Sequence, residues 1–251
     1  MAVFLKDALR EPKALIGTLV TTASPEIAEV LALSGFDWLF LDLEHGTLSI
    51  PDAQRAIQAV AGRCFTVVRV PDATAENIKR VLDTGCDGMI APHVNSAEEA
   101  RRIVALAKYP PVGERSVGHG RAQGYGLSFA DYVATANDRI AVMVQAEHID
   151  AVANIQDIIR VQGIDAVFVG PYDLSGSMDL LGQVSDAKVV AAIETVRASC
   201  AESKMPWGIF YGAPEPAAAA IQSGAGMVAV GTDLMHMTNS ARGVLEVLRQ
   251  A

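Results

Sequence analysis

The sequence predicts a closed (β/α)8 barrel, and three observations carry that reading. Eight short apolar runs recur along the 251 residues, and segments of helical period lie between them. The runs are continuously apolar more often than alternating, as parallel strands buried on both faces require. An open doubly wound sheet is the alternative. Neither G-x-G-x-x-G after a strand nor G-x-x-x-x-G-K-[ST] occurs to support it.

In order, the predicted strands are ALIGTLV (14–20), WLFLDL (38–43), FTVVRV (65–70), GMIAP (88–92), AVMVQAE (141–147), AVFVG (166–170), WGIFYG (207–212) and MVAVG (227–231). Helices are expected over 25–34, 50–62, 75–85, 96–108, 151–161, 186–203 and 216–224. Ser49 caps the second, with Pro51 in the first turn where a missing N–H costs little. Ser96-Ala-Glu-Glu reads as a capping box. Gly35, Gly85, Gly163 and Gly224 each follow a helix, where a left-handed residue is wanted. Residues 109–138 break the rhythm with YPPVGERSVGHGRAQGYG, a segment long enough to be functional or partly helical. The last stretch, 238–250, reads as an amphipathic helix with Val244, Leu245 and Leu248 on one side. No linker divides the chain, so residues 1–251 are expected to form one domain.

Composition removes several classes of function. Apolar residues make up 51 % and charged residues 20 %, which excludes a disordered chain. The net charge of −9 gives no electrostatic footprint for nucleic acid or an anionic membrane. Cys64, Cys86 and Cys200 are odd in number and far apart, which favours a reducing cytosol over a disulfide framework. The N-terminus does not read as a signal peptide, and no uncharged apolar stretch reaches membrane-spanning length.

In a barrel the chemistry sits at the C-terminal ends of the strands. Gln145 and Glu147 lie two apart and share one side of their strand. Asp173 leaves the next strand a few residues after its apolar run, so Glu147 and Asp173 are placed to share a hard cation such as Mg²⁺ or Mn²⁺. The plainer reading of both is a solvated loop carboxylate. Arg69 is the one charge in FTVVRVP and needs an anion or a polarised oxygen, which a structural ion pair would also supply. His45 follows Asp42 and Glu44, and a carboxylate beside an imidazole fixes its tautomer for acid/base work. His93 and His148 also fall at strand ends and rank below it; His119 lies in the long loop and His236 after the last strand. No G-x-S-x-G elbow is present, and Lys6, Lys13, Lys79, Lys108, Lys188 and Lys204 all fall outside the strands. That argues against an imine mechanism and for metal-assisted enolisation.

WLFLDLEHG, VVRVP, VLDTGCDGMIAPHVNSAEEA, YPPVGERSVG, MVQAEHIDAVANIQDI and GIDAVFVGPYDLSGSMDLLGQ together resemble the HpcH/HpaI aldolases, metal-dependent class II pyruvate aldolases. The resemblance runs from about Leu15 to Leu234. It implies a divalent cation (Mg²⁺, Mn²⁺ or Co²⁺) held by Glu147 and Asp173, which match Q-x-E and G-P-x-D-L-S. It implies that Arg69 binds the keto oxygen of pyruvate and stabilises the enolate. It further implies that His45, oriented by Asp42, is the acid/base acting through a metal-bound water. Gln145 would contact the substrate or that water, and the backbone amides of Tyr172 and Asp173 would hold the pyruvate carboxylate. Asp83 in VLDTG matches an acid contributed from a neighbouring subunit. A homo-oligomer, hexamer or trimer, is implied, with the C-terminal helix packing on a neighbouring subunit.

Tyr172 is bulkier than the small residue some members carry in G-P-x-D, which would narrow the pocket. The aldehyde side is sought at residues 115–130, at Tyr211-Gly212-Ala213, and at Asp83, Arg115 and His119; a dicarboxylate substrate would call on Arg115 and Arg121. The leading expectation is a lyase cleaving a 4-hydroxy-2-oxo acid to pyruvate and an aldehyde. A CoA-thioester lyase of the citrate lyase or malyl-CoA lyase type and a non-catalytic keto-acid-binding protein are the alternatives. The first lacks basic residues for a nucleotide tail, and the second needs neither His45 nor a second carboxylate.

Overall fold

Alternation of side chains along each apolar run decides what meets inside the barrel and what meets the helices. In the computed structural model, which describes residues 4–250, the runs form β1 (Leu15–Val20), β2 (Trp38–Asp42), β3 (Phe65–Arg69), β4 (Gly88–Ala91), β5 (Ala141–Ala146), β6 (Ala166–Val169), β7 (Trp207–Tyr211) and β8 (Met227–Thr232). They pair in parallel in chain order, and β8 closes onto β1. The predicted (β/α)8 barrel is the observed fold. Residues 1–3 and 251, included in the single-domain expectation, lie outside the described residues.

The helices are α1 (Leu5–Ala8), α2 (Pro25–Leu33), α3 (Ile50–Val60), α4 (Ala75–Asp83), α5 (Ala97–Ala107), α6 (Phe129–Arg139), α7 (Ile149–Ala153), α8 (Ile155–Ile158), α9 (Pro171–Ser177), α10 (Ala187–Ser203), α11 (Pro214–Gln222) and α12 (Asp233–Arg249). The capping box at Ser96 is present, and Gly35, Gly85, Gly163 and Gly224 all have positive φ, between 78° and 98°.

Two apolar cores result. One lies between strands and helices and includes Val144 and Ala146. The other fills the barrel with Trp38, Phe40, Met143 and Phe168, and α1 closes its lower end with Leu5 and Ala8. The inner position of Gly17 makes room for the Trp38 indole, which a Cβ there would overlap.

Several helices differ from the sequence reading. The expected helix over 151–161 divides at Asn154, whose side chain donates to the Asn95 carbonyl at 2.8 Å. Residues 109–138 are partly helical, as the sequence reading allowed, with a 3₁₀ turn at Gly124–Gly126 and most of α6. α9 is absent from the expected helices, although Gly170-Pro171 is a helix-start signal. α12 begins at Asp233 rather than 238, because the Thr232 hydroxyl accepts from the Met235 N–H at 3.1 Å. Val244, Leu245 and Leu248 on α12 are exposed.

Candidate active site

The β2–β3 register sets Asp42 beside Arg69, both pointing into the upper barrel. Parallel neighbours in register project to the same side, so the planar guanidinium meets the carboxylate in a fork. Arg69 Nε donates to Asp42 Oδ1 at 2.9 Å and Nη2 to Oδ2 at 2.7 Å. Nη1 lies 3.1 Å from Glu44 Oε2 and donates to Gln145 Oε1 at 3.4 Å. The guanidinium carbon sits 5.2 Å from the centre of the Phe40 ring. Burial alone pulls the Arg69 pKa down, but Asp42, Glu44 and Glu147 outweigh it and the value is raised. Arg69 is therefore both ion-paired and part of the cavity wall.

Glu147 follows β5 and is buried. Its Oε1 accepts from the His93 backbone N–H at 2.7 Å and lies 3.1 Å from His93 Nδ1; its Oε2 is bonded by the Gln145 amide. His93 Nε2 is 3.0 Å from Glu44 Oε1, so this ring bridges two carboxylates. Its φ of 56° turns the N–H and the ring toward the same oxygen. Burial raises the Glu147 pKa, and Glu44 and Asp173 raise it further against the opposing pull of His93. A Cβ on Gly170 would sit 3.0 Å from Glu147 Oε2 and 2.9 Å from Gln145 Nε2, so that glycine leaves the carboxylate its space.

A cavity of about 400 Å³ opens over these groups, lined by Asp42, His45, Arg69, Gln145, Tyr172 and Asp173 among others. A wider groove of about 670 Å³ between α5 and α8 carries no strand-end residue. Gln145, Glu147 and Asp173 thus gather with Arg69, and His45 stands largely exposed at the mouth. Asp42 meets His45 through the backbone: Oδ1 accepts the His45 N–H at 3.3 Å. The imidazole instead has Glu44 Oε2 at 4.0 Å, so the expected Asp42–imidazole contact is replaced by an Asp42–Arg69 pair.

Asp83 does not line this chain's cavity. It accepts from Arg115 at 2.7 Å and from Gln123 at 3.2 Å. His119 stacks on Phe129, the His148 ring accepts from the Asp150 N–H, and His236 lies 2.9 Å from the Thr18 hydroxyl. Gly212 lines the cavity, whereas Tyr211 packs against the outer core. Sequence reasoning ranked His93 low, named Glu44 only as a carboxylate beside His45, and gave Phe210 and Met235 no role. Burial pushes Cys64 up to about 11 and Cys86 and Cys200 up to about 12, which leaves the thiols poor nucleophiles.

Among the described residues, no set of three or more His, Cys, Asp and Glu is arranged to hold an ion unaided. Glu147 and Asp173 offer two carboxylates, leaving other positions to water and substrate. Glu44 Oε2 is buried without a hydrogen-bond partner, and three carboxylates crowd one guanidinium. That excess of oxygen anions suits a hard divalent cation.

The HpcH/HpaI aldolase/citrate lyase family matches the sequence over residues 15–240. The chain belongs to that family. A hydroxypyruvate/pyruvate aldolase of Cupriavidus necator is 37 % identical over 247 residues, covering 98 % of this chain and 92 % of that one. A 2-keto-3-deoxy-L-rhamnonate aldolase of Escherichia coli K12 is 38 % identical over 234 residues, covering 92 % and 87 %. The crystal structure of an HpcH/HpaI aldolase/citrate lyase family protein from Burkholderia cenocepacia superposes with a TM-score of 0.94 at 32 % identity, covering 98 % of each chain. Like these HpcH/HpaI aldolases, the protein is a carbon–carbon lyase.

Proposed function

We propose that this protein is a divalent-metal-dependent aldolase that reversibly cleaves a 4-hydroxy-2-oxo acid to pyruvate and an aldehyde. The observation that carries the reading is one cavity lined by Arg69, Gln145 and Asp173, with the buried Glu147 carboxylate bonded by the Gln145 amide, in a chain whose relatives are named aldolases. Mg²⁺, Mn²⁺ or Co²⁺ bound by Glu147 and Asp173 would supply Lewis-acid stabilisation of the enolate charge.

The chain's own residues do the rest. Asp42 fixes the guanidinium fork, and the Arg69 guanidinium so held donates to the keto oxygen as it gains charge. The N–H groups of Tyr172 and Asp173 open α9 and hold the substrate carboxylate. Gln145 orients the keto acid. In cleavage, His45 removes the proton of the 4-hydroxyl; that oxygen becomes the aldehyde carbonyl as the C3–C4 bond breaks. The electron pair is left on the pyruvate enolate, which is protonated at C3. Exposure of His45 lets its proton exchange with solvent.

Asp83 serves the site of a neighbouring copy, consistent with its absence from its own cavity. The exposed apolar residues of α12 support a homo-oligomer, hexamer or trimer, with this helix against a second subunit. Three unpaired cysteines favour the cytosol, and no described helix is long and apolar enough to cross a membrane.

Glu147→Ala and Asp173→Ala are expected to lose Mn²⁺ binding in titration calorimetry and to lose pyruvate release, with far-ultraviolet circular dichroism unchanged. Full activity in either variant overturns the assignment.

A further inference from the structure

A cation shared by only two protein carboxylates is held as firmly as each carboxylate is oriented. Asp173 stands in the first turn of α9. Glu147 lies just past the end of β5, and the partners of its two oxygens differ. Oε2 lies toward Gly170, where β6 passes into α9, and is bonded by the Gln145 amide. Oε1 lies toward the end of β4, where it accepts from the His93 N–H at 2.7 Å and meets His93 Nδ1 at 3.1 Å.

The backbone makes that double contact possible. β4 ends at Ala91, and His93, at a φ of 56°, turns the chain across the end of β5. There the Val94 N–H donates to the Gln145 carbonyl at 3.4 Å. A non-glycine residue at positive φ is uncommon, and histidine is among those that tolerate it. The far ring nitrogen, Nε2, is 3.0 Å from Glu44 Oε1, and Glu44 in turn faces Arg69 Nη1 at 3.1 Å. The ring therefore ties Glu147 to the Arg69 cluster and stands between two carboxylates that repel each other. It does so from outside the substrate cavity: His93 lines a separate groove of about 570 Å³ with Asp72, Glu99 and Arg102.

We infer that His93 is a positioning residue for the metal site. By gripping Glu147 Oε1 from behind, it fixes the orientation that turns Oε2 toward Gly170 and α9, and so sets the affinity of the Glu147–Asp173 pair for a divalent cation. The inference rests on the metal-dependent reading above and deepens it.

Mn²⁺ titration calorimetry tests it without turnover. His93→Gly keeps the left-handed backbone and its N–H and removes only the ring. It is expected to bind Mn²⁺ about 10-fold or more weakly than wild type, with far-ultraviolet circular dichroism unchanged, and to shift the visible spectrum of the Co²⁺-loaded protein. His93→Asn also tolerates positive φ and keeps one short donor; its Mn²⁺ affinity should fall between those of His93→Gly and wild type. Wild-type or tighter Mn²⁺ affinity in either folded variant overturns this inference and leaves the metal-dependent reading standing. Absence of Mn²⁺ binding by the wild-type protein overturns that reading and this inference with it.

Discussion

At the scale of single residues, the pairing of Arg69 with Asp42 organises the site. Arg69→Met is expected to abolish activity and to cost about 3–5 kcal/mol in denaturant unfolding, since it strands a buried carboxylate. An unfolding midpoint equal to that of wild type would contradict the pairing. Arg69 was legible as the lone charge in an apolar run. Its partner was not, because Asp42 reaches it through strand register rather than sequence proximity. His93 was under-read for a similar reason: nothing local announces a left-handed histidine. A third residue makes a prediction far from the cavity. Burial holds the Cys200 thiol near 12, above its ordinary value of 9. Its folded pKa is raised, so its contribution is complete below about pH 9 and lost as pH climbs toward 12. Three units amount to about 4 kcal/mol. Under reducing conditions, Cys200→Ala should flatten the alkaline fall in stability seen by urea unfolding. An unchanged slope would contradict the burial argument.

At the scale of elements, the strands and most helices could be read from periodicity and caps, because each obeys local rules that tertiary packing reinforces. The misreadings share a physical cause. α9 and α12 directly follow strands, and Asp233, the first residue of α12, is anchored by partners distant in sequence. Asp233 shows this best. Its carboxylate accepts from the backbone N–H and hydroxyl of both Thr21 and Thr22, fastening the end of β1 to the start of α12. Burial raises its pKa, but those donors prevail and the value is lowered. Asp233→Ala is expected to cost about 2–3 kcal/mol and to speed amide exchange over residues 21–24. Wild-type exchange there would mean that the loop is held by something else.

At the scale of the whole molecule, the barrel gathers groups from β2, β3, β5 and β6 that lie more than a hundred residues apart. Strand-end position alone identified Arg69, Glu147 and Asp173, because a barrel sends such residues to one face. Gly212 was named from the sequence and lines the cavity, whereas Phe210 and Met235 were not, since they look like core residues until β7 and α12 bring them to its wall. The measurement that tests the central claim most directly is coupled pyruvate release. Metal-stripped protein would be given a racemic 4-hydroxy-2-oxo acid with and without Mg²⁺, Mn²⁺ or Co²⁺, and pyruvate read with lactate dehydrogenase. Release that appears with metal and disappears with chelator is the predicted result. Release that survives chelation, or none with any metal, would contradict the account.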